Sequence, residues 1–265
     1  MELFSTLAKM PAYANAEVHY LLTADDDFLK MDQLLGRQIS IEFLDQKICS
    51  SCGNMFKSLF RMGFCRECFF SSPMAGESIV RPELSRAHDD IEDRDLAFEK
   101  SYQLQPHVVY LAVSGGLKVG VTREIQKVNR WIDQGASRAL VLAVTTNRYE
   151  AGMMEVSLKE HLADKTAWQR MLKNEDPDID LQAEKTKAAA LLPEEWRKFV
   201  IAESEVHELK YPVLHYPARV RSVNLDKDKS VTAVLQGIRG QYLIFEGGAA
   251  LNVRGHTGYR VRLAF

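Results

Sequence analysis

The sequence predicts an α+β protein, and three observations carry the prediction. Short apolar runs of period two stand towards both ends of the 265-residue chain and read as strands. Between them, residues 107–163 pass through the patterns of a hairpin, a helix, a strand and a second helix. All four cysteines fall in one window, from Cys49 to Cys68. The expected organisation is an N-terminal β segment with a zinc module (residues 1–104, the module at 49–70), an α/β domain (105–172), a helical connector (173–210) and a small C-terminal antiparallel β unit (211–265).

The chain is 46% apolar, enough to bury sizeable cores, and at this length more than one is expected. It holds no apolar run of about 18 residues, so no membrane span is expected. Residues 1–9 lack the basic start and long apolar stretch of a secretory signal. Four clustered cysteines point to thiols kept reduced and used for metal, and so to a cytoplasmic protein.

The formal net charge of -2 is unevenly spread. Residues 49–70 carry three Lys/Arg against one Asp/Glu, residues 105–172 nine against six, and residues 211–265 eight against three. The remaining segments are acidic. A basic surface can exist within such a chain if the three modules share a face, which makes RNA or DNA a candidate partner. Solvated acidic linkers account for the same asymmetry without one.

In chain order, residues 17–22 and 38–43 read as strands around the acidic turn Asp25-Asp26-Asp27, and residues 74–104 mix loop with helix. Residues 108–113 form a strand, Ser114-Gly115-Gly116 a turn and 117–121 a second strand, together a hairpin. Thr122 is expected to cap a helix that Gly135 stops. Residues 139–144 give a third strand and 148–163 a second helix. Residues 173–210 are charged and helical, with Pro193 just inside a helix start. From Tyr211 the pattern becomes short strands with glycine turns, at 213–223, 230–236, 241–246, 250–254 and 259–264.

The cysteine spacing is C-x2-C, twelve residues, then C-x2-C. Each pair places two thiolates on one tight turn, and two such turns complete a tetrahedral site with Zn–S distances of about 2.3 Å. Gly53 follows the first pair, where the turn needs a residue that tolerates positive φ, and Gly63 lets the chain turn into the second. Cys49, Cys52, Cys65 and Cys68 leave no open coordination position, so the expected zinc is structural. Phe56, Phe60, Phe64 and Phe69 are expected to form the small core of the module. Lys57, Arg61 and Arg66 are interleaved with them.

In the central block, Ile125, Val128 and Ile132 give the first helix its buried stripe, and Arg123, Lys127 and Arg130 a basic one. On the second helix Glu155 shares a stripe with Ala151, Leu158 and Leu162, so it either reaches the edge or holds a positive partner such as Arg130 or a metal ion. His107 is a candidate general base. His161, Asp164, Lys165 and Trp168 are candidates to complete a site after the second helix.

On these residues the block resembles the GIY-YIG endonuclease superfamily, particularly the phage and bacterial branch whose second motif reads Lys-Ile-Gly-x-Thr. Val108-Val109-Tyr110 stands at the first motif, Lys118-Val119-Gly120-Val121-Thr122 at the second, Arg130 at the helix arginine and Glu155 at the metal-binding glutamate. The resemblance implies a hairpin followed by helix, strand and helix. It also implies phosphodiester cleavage with one Mg2+ or Mn2+ ion on Glu155, Arg130 on the phosphate and Tyr110 at the nucleophile. Lys118 stands where that family places a second tyrosine. Over most of its length the chain also resembles a conserved prokaryotic family of unknown function, through its zinc knuckles, Val-Tyr-Leu-Ala, Lys-Val-Gly-Val-Thr-Arg, Arg-Trp-Ile-Asp-Gln-Gly-Ala and Gly-Ile-x-Gly-Gln-Tyr-Leu.

The C-terminal unit mixes cations with aromatics, as surfaces that stack bases and pair phosphates do. Two functional readings follow. In the first, the zinc module and β tail grip RNA or DNA, with Arg123, Lys127, Arg239, Arg254, Arg260 and Arg262 as contacts. The central domain then presents one phosphate to Arg130 and a Glu155-bound metal. In the second, the chain is a non-catalytic, zinc-stabilised adaptor that contacts proteins.

Overall fold

In a computed structural model that describes residues 1–25, 27–162 and 166–265, the strand Gln38–Ile48 organises the first of two units. Its alternation buries Ile39, Ile41 and Phe43, as a strand with one covered face must. Tyr259–Ala264 pairs antiparallel on one side of it and Ser230–Arg239 on the other, and Glu2–Thr6 adds beyond Tyr259–Ala264. The sheet continues from Ser230–Arg239 through Tyr242–Phe245 and Ala249–Asn252 to Arg221–Val223, and reaches eight strands with Met55–Phe56. A separate three-stranded sheet joins Ala12–Ala14, Val18–Thr23 and Phe28–Lys30. The chain is therefore α+β with N-terminal strands and small antiparallel strands at the C-terminal end.

The N-terminal and C-terminal β segments are not separate modules. Met1–Phe70, Leu172–Asn174 and Leu209–Phe265 make one unit, while Ser71–Met171 and Glu175–Glu208 make the other. The reason lies in strand edges. Each segment alone would leave apolar strands unpaired, and shared pairing closes those edges.

The second unit is built on a four-stranded antiparallel sheet. His107–Val113 and Leu117–Arg123 form the expected hairpin, and Arg138–Thr145 pairs on the other side of His107–Val113. The fourth strand is His207–Glu208, from the segment expected to be a connector. Leu181, Ala188 and Leu192 of the same segment join Val109, Leu111, Leu142, Met154 and Leu158 in one buried cluster, so residues 175–208 complete this domain's core.

The first helix departs from expectation. Thr122 and Arg123 remain in the strand, paired with Val108 and His107, because cross-strand hydrogen bonds outweigh the capping preference of Thr122. A short 3-10 turn, Glu124–Gln126, then precedes the helix Lys127–Asp133. The helical phase shifts accordingly: Ile125 is 79% exposed, and Trp131 and Ile132 are buried. Arg123 thus belongs to the sheet and shares no helical stripe with Lys127 and Arg130.

The second helix is Arg148–Lys159, with the Asn147 side chain accepting from the Glu150 N–H at 3.0 Å. Glu150 answers by accepting from the Thr146 N–H at 2.9 Å, so its carboxylate closes a helix start. Gly152 lies against the chain at Pro82 and Glu83, where a Cβ would come within 2.2 Å of the Glu83 nitrogen. The acidic 74–104 segment is thereby held to this helix. Among the described residues, no helix is long and apolar enough to cross a membrane.

Candidate functional site

The cysteine centre is assembled by two turns of the first unit. The Cys49 N–H donates to the Asn54 carbonyl and the Gly53 N–H returns to the Cys49 carbonyl, each at 3.0 Å. Gly53 and Gly63 have φ of +71° and +82°, the left-handed values the spacing required. At Gly63 a Cβ would lie 2.5 Å from both Ser50 Oγ and Thr257 Cγ2, so space as well as conformation selects glycine there.

The four Sγ atoms of Cys49, Cys52, Cys65 and Cys68 all lie within 4.8 Å of one another. They are positioned to bind one metal ion, and four thiolate donors with no open position suit structural zinc. The electrostatics agree with that. Burial raises the Cys49 thiol, but N–H groups of Cys52, Cys65 and Ser51 outweigh it and bring it down to about 6. Cys68, hydrogen-bonded to Cys65, is pushed up to about 12. One thiolate discourages the next, and a central cation removes that conflict.

The expected phenylalanine core is only partly present. Phe64 is buried, whereas Phe56 is 36% and Phe60 46% exposed. A metal held by all four cysteines would leave few apolar contacts needed to hold the module.

In the second unit, Tyr110, Arg130 and Glu155 are in electrostatic contact. Tyr110 has no exposed surface and sits opposite Gly120, where a Cβ would lie 2.5 Å from the phenol oxygen. Its oxygen accepts from Gln134 Nε2 at 2.7 Å and also bonds to Arg130. Burial raises the Tyr110 pKa against the pull of Arg130 and Gln134, so the phenol stays neutral. Burial lowers Arg130, but Tyr110, Asp133 and Glu155 outweigh it, so the guanidinium stays charged. A phenol this deep cannot touch a solvent-borne phosphate. Its oxygen is instead engaged by Arg130, which is partly exposed.

Glu155 is buried at 8% exposure, and its Oε2 lies 3.3 Å from Lys159 Nζ. Arg148, at the start of the same helix, donates to the Ser78 and Ile79 carbonyls at 2.8 Å. Arg123 and Arg148 approach one ring, with guanidinium carbons 4.6 and 5.5 Å from the Tyr102 centroid. Burial, joined by Arg130 and Arg123 against Tyr102 and Glu155, lowers the Arg148 pKa.

His107 has no exposed surface, and its Nδ1 lies 2.7 Å from the Gln105 carbonyl oxygen. A carbonyl only accepts, so Nδ1 carries the proton. Burial first, then Arg148 and Arg123, bring the imidazole down to about 4 despite that bond. Its Nε2 has no partner among the described residues.

Other candidates lie apart from this cluster or are engaged otherwise. Lys118 is buried, with Nζ donating to Thr166 Oγ1 at 3.2 Å. Lys127 faces Glu124 at 3.8 Å. Arg239 is fully buried, bonded to Asn174 at 2.8 Å and flanked by Tyr211 and Tyr216, so it serves the core and not a nucleic-acid surface. Arg260 is paired with Asp25, and Arg262 with Glu42 at 3.0 Å. Arg254 is exposed in the turn after Ala249–Asn252. Asp164 and Lys165 lie outside the described residues.

Gln134 and Arg148 were not legible as site residues. Arg148 carried one signal, since a cation in the first turn of a helix opposes the helix dipole and needs another reason to be there.

A family model described as "Protein of unknown function (DUF2797)" matches residues 36–261. No curated protein matches the chain. No solved structure matches it.

Proposed function

The chain belongs to this family of unknown function, and from its charge geometry we propose that it binds RNA or DNA, with the hairpin domain seating a backbone phosphate. The supporting observation is the gathering of guanidiniums in that domain: Arg123 and Arg148 share the Tyr102 ring, and Arg130 is close enough to disfavour Arg148's charge. Like charges gathered in a partly buried place destabilise the fold unless an anion joins them, which is how binding sites commonly stand out. Arg130 and Arg123 are the partly exposed members. Arg148 is buried and braces the group.

The resemblance to GIY-YIG endonucleases implies Mg2+ or Mn2+ on Glu155. The donor set fits such an ion poorly. Lys159 already faces the carboxylate at 3.3 Å, and Arg130 and Arg148 lie within its field, so a divalent cation would enter a cationic surrounding. Phosphate seating without hydrolysis is what these charges favour. Filter or anisotropy binding at several salt concentrations tests it. Affinity should fall steeply as salt rises, by a log–log slope of about 0.9 per phosphate contacted on duplex DNA. Arg130→Ala with Arg123→Ala should reduce that slope. Magnesium- or manganese-dependent cleavage of structured RNA, branched DNA or single strands, lost in Glu155→Gln, would overturn the non-hydrolytic reading.

The second reading is a zinc-stabilised adaptor for proteins. It is favoured by the engagement of Arg239, Arg260 and Arg262 within the fold, which leaves the C-terminal strands fewer cations for phosphates. No retention on either polymer at low salt, with protein co-purifying, would select it.

A further inference from the structure

The helix Arg66–Ser71 contains Cys68 and buries none of its residues, yet it carries Phe69 and Phe70. Their rings meet at 5.3 Å, and Phe60, from the loop between the two cysteine pairs, touches both at 5.0 and 5.6 Å. Phe60 is 46% and Phe70 57% exposed. Aromatic rings recruited to a core are covered, as Phe64 is; Phe60 and Phe70 instead stay largely exposed.

One cation lies beside the rings, and two more stand on the same module. The Arg61 guanidinium lies 5.7 Å from the Phe60 centroid, and Lys57 and Arg66 are exposed on the same module. Among the described residues, none of the three forms an ion pair with a carboxylate. Arg260 and Arg262 of the C-terminal strands, by contrast, are both paired. The cations of the first unit without a carboxylate partner among the described residues therefore include Arg61, which lies beside the Phe60 ring.

We propose that Phe60, Phe69 and Phe70 form a stacking platform for the unpaired bases of single-stranded nucleic acid, with Lys57, Arg61 and Arg66 on its phosphates. This rests on the nucleic-acid reading above and names the substrate class. Every base has a π-face that a phenylalanine ring can cover, and an adjacent guanidinium adds attraction to both ring and phosphate. In a duplex those faces are already stacked, so the platform discriminates by strandedness and not by sequence. It is also held in advance. The Phe60 N–H donates to the Phe64 carbonyl at 2.7 Å, and Cys65 and Cys68 fix the helix that carries the other two rings. Little side-chain freedom is lost on binding.

The test uses the 265-residue chain with its zinc content measured, and labelled unstructured single strands of RNA and DNA beside a duplex of the same sequence. Wild type should bind single strands more tightly than duplex at equal salt. Phe60→Leu with Phe70→Leu keeps apolar bulk but removes the flat faces. It should weaken single-strand binding by roughly 5- to 150-fold for each base that loses its ring, with the salt slope and zinc content unchanged. Arg61→Gln should instead lower the salt slope. If wild type binds and the leucine variant binds equally well, the platform is wrong while the nucleic-acid reading stands. Equal affinity for duplex and single strand also overturns the platform. If wild type binds neither polymer, the reading beneath it fails. Should the double variant lose zinc, Phe70→Leu alone, at the more exposed ring, decides the matter by the same comparison.

Discussion

Gln134 Nε2 donates a 2.7 Å hydrogen bond to the phenol oxygen of Tyr110, a side chain with no exposed surface. The same oxygen bonds to Arg130, so one buried phenol ties the end of a helix to the Arg130 guanidinium. Tyr110→Phe removes the shared acceptor and leaves the Gln134 amide buried without it. Such a loss costs about 1–3 kcal/mol. A lower urea midpoint with unchanged m-value should report it. Binding should weaken as well, because Arg130 loses its support. A variant as stable as wild type would show that the Tyr110 oxygen carries no weight in the fold.

Gly152 of this domain and Gly53 beside the cysteines separate space from conformation. At Gly152 a Cβ would meet the Glu83 nitrogen at 2.2 Å, and backbone cannot retreat as a flexible side chain can. Gly152→Ala should therefore cost about 1–3 kcal/mol or more through overpacking. At Gly53 nothing lies within 4 Å of a Cβ, and only its φ of +71° resists substitution. Gly53→Ala should cost about 1–2 kcal/mol from the left-handed backbone alone. Thermal melts of the two variants should rank Gly152→Ala as the more destabilised.

Much of this was legible because it is local. The cysteine spacing, the hairpin turn at Ser114-Gly115-Gly116 and the strands near residue 260 each depend on residues within a few positions. What was not legible depends on partners far along the chain. Ile125 has the apolar character of a core residue, yet Thr122 and Arg123 pair with Val108 and His107 and turn it outward. Arg260 and Arg262 have the composition of a nucleic-acid surface. Only the pairing of Tyr259–Ala264 with Gln38–Ile48, and the return of the chain near Asp25, brings carboxylates to them. Arg239 shows the same limit, since its burial follows from tyrosines at 211 and 216 that no local pattern connects to it.

The cysteine centre gives a prediction that packing cannot imitate. Cys52 is exposed while Cys49 and Cys65 are buried. Cys52→Ala therefore removes almost no core, and loss of apolar contact would barely change stability. If the four thiolates hold zinc, the same substitution should release the metal and sharply lower the melting temperature of the first unit, because ligand binding there is folding energy. Metal analysis should find about one zinc per wild-type chain, as one closed four-thiolate site requires. Stoichiometric zinc in the Cys52→Ala protein would refute the assignment.

His107 makes stability depend on pH in a definite direction. The imidazole titrates near 6.5 when unfolded and at about 4 in the fold. Between those values the unfolded chain binds more protons than the folded one, so stability falls as pH drops through this window. Above 6.5 both states are neutral at this residue and it has no effect; below about 4 both are protonated and the loss is complete. The full difference is about 3 kcal/mol, at 1.36 kcal/mol for each pKa unit. Buried His256, also lowered by desolvation, acts in the same sense, so the wild-type curve alone does not isolate one residue. His107→Asn does. Its amide can still donate to the Gln105 carbonyl but does not titrate. Urea midpoints of both proteins from pH 7 to 4 should converge as pH falls, with wild type losing the larger amount. Parallel curves would mean that His107 is protonated in the fold, and that its Nε2 has a partner which answers the charge.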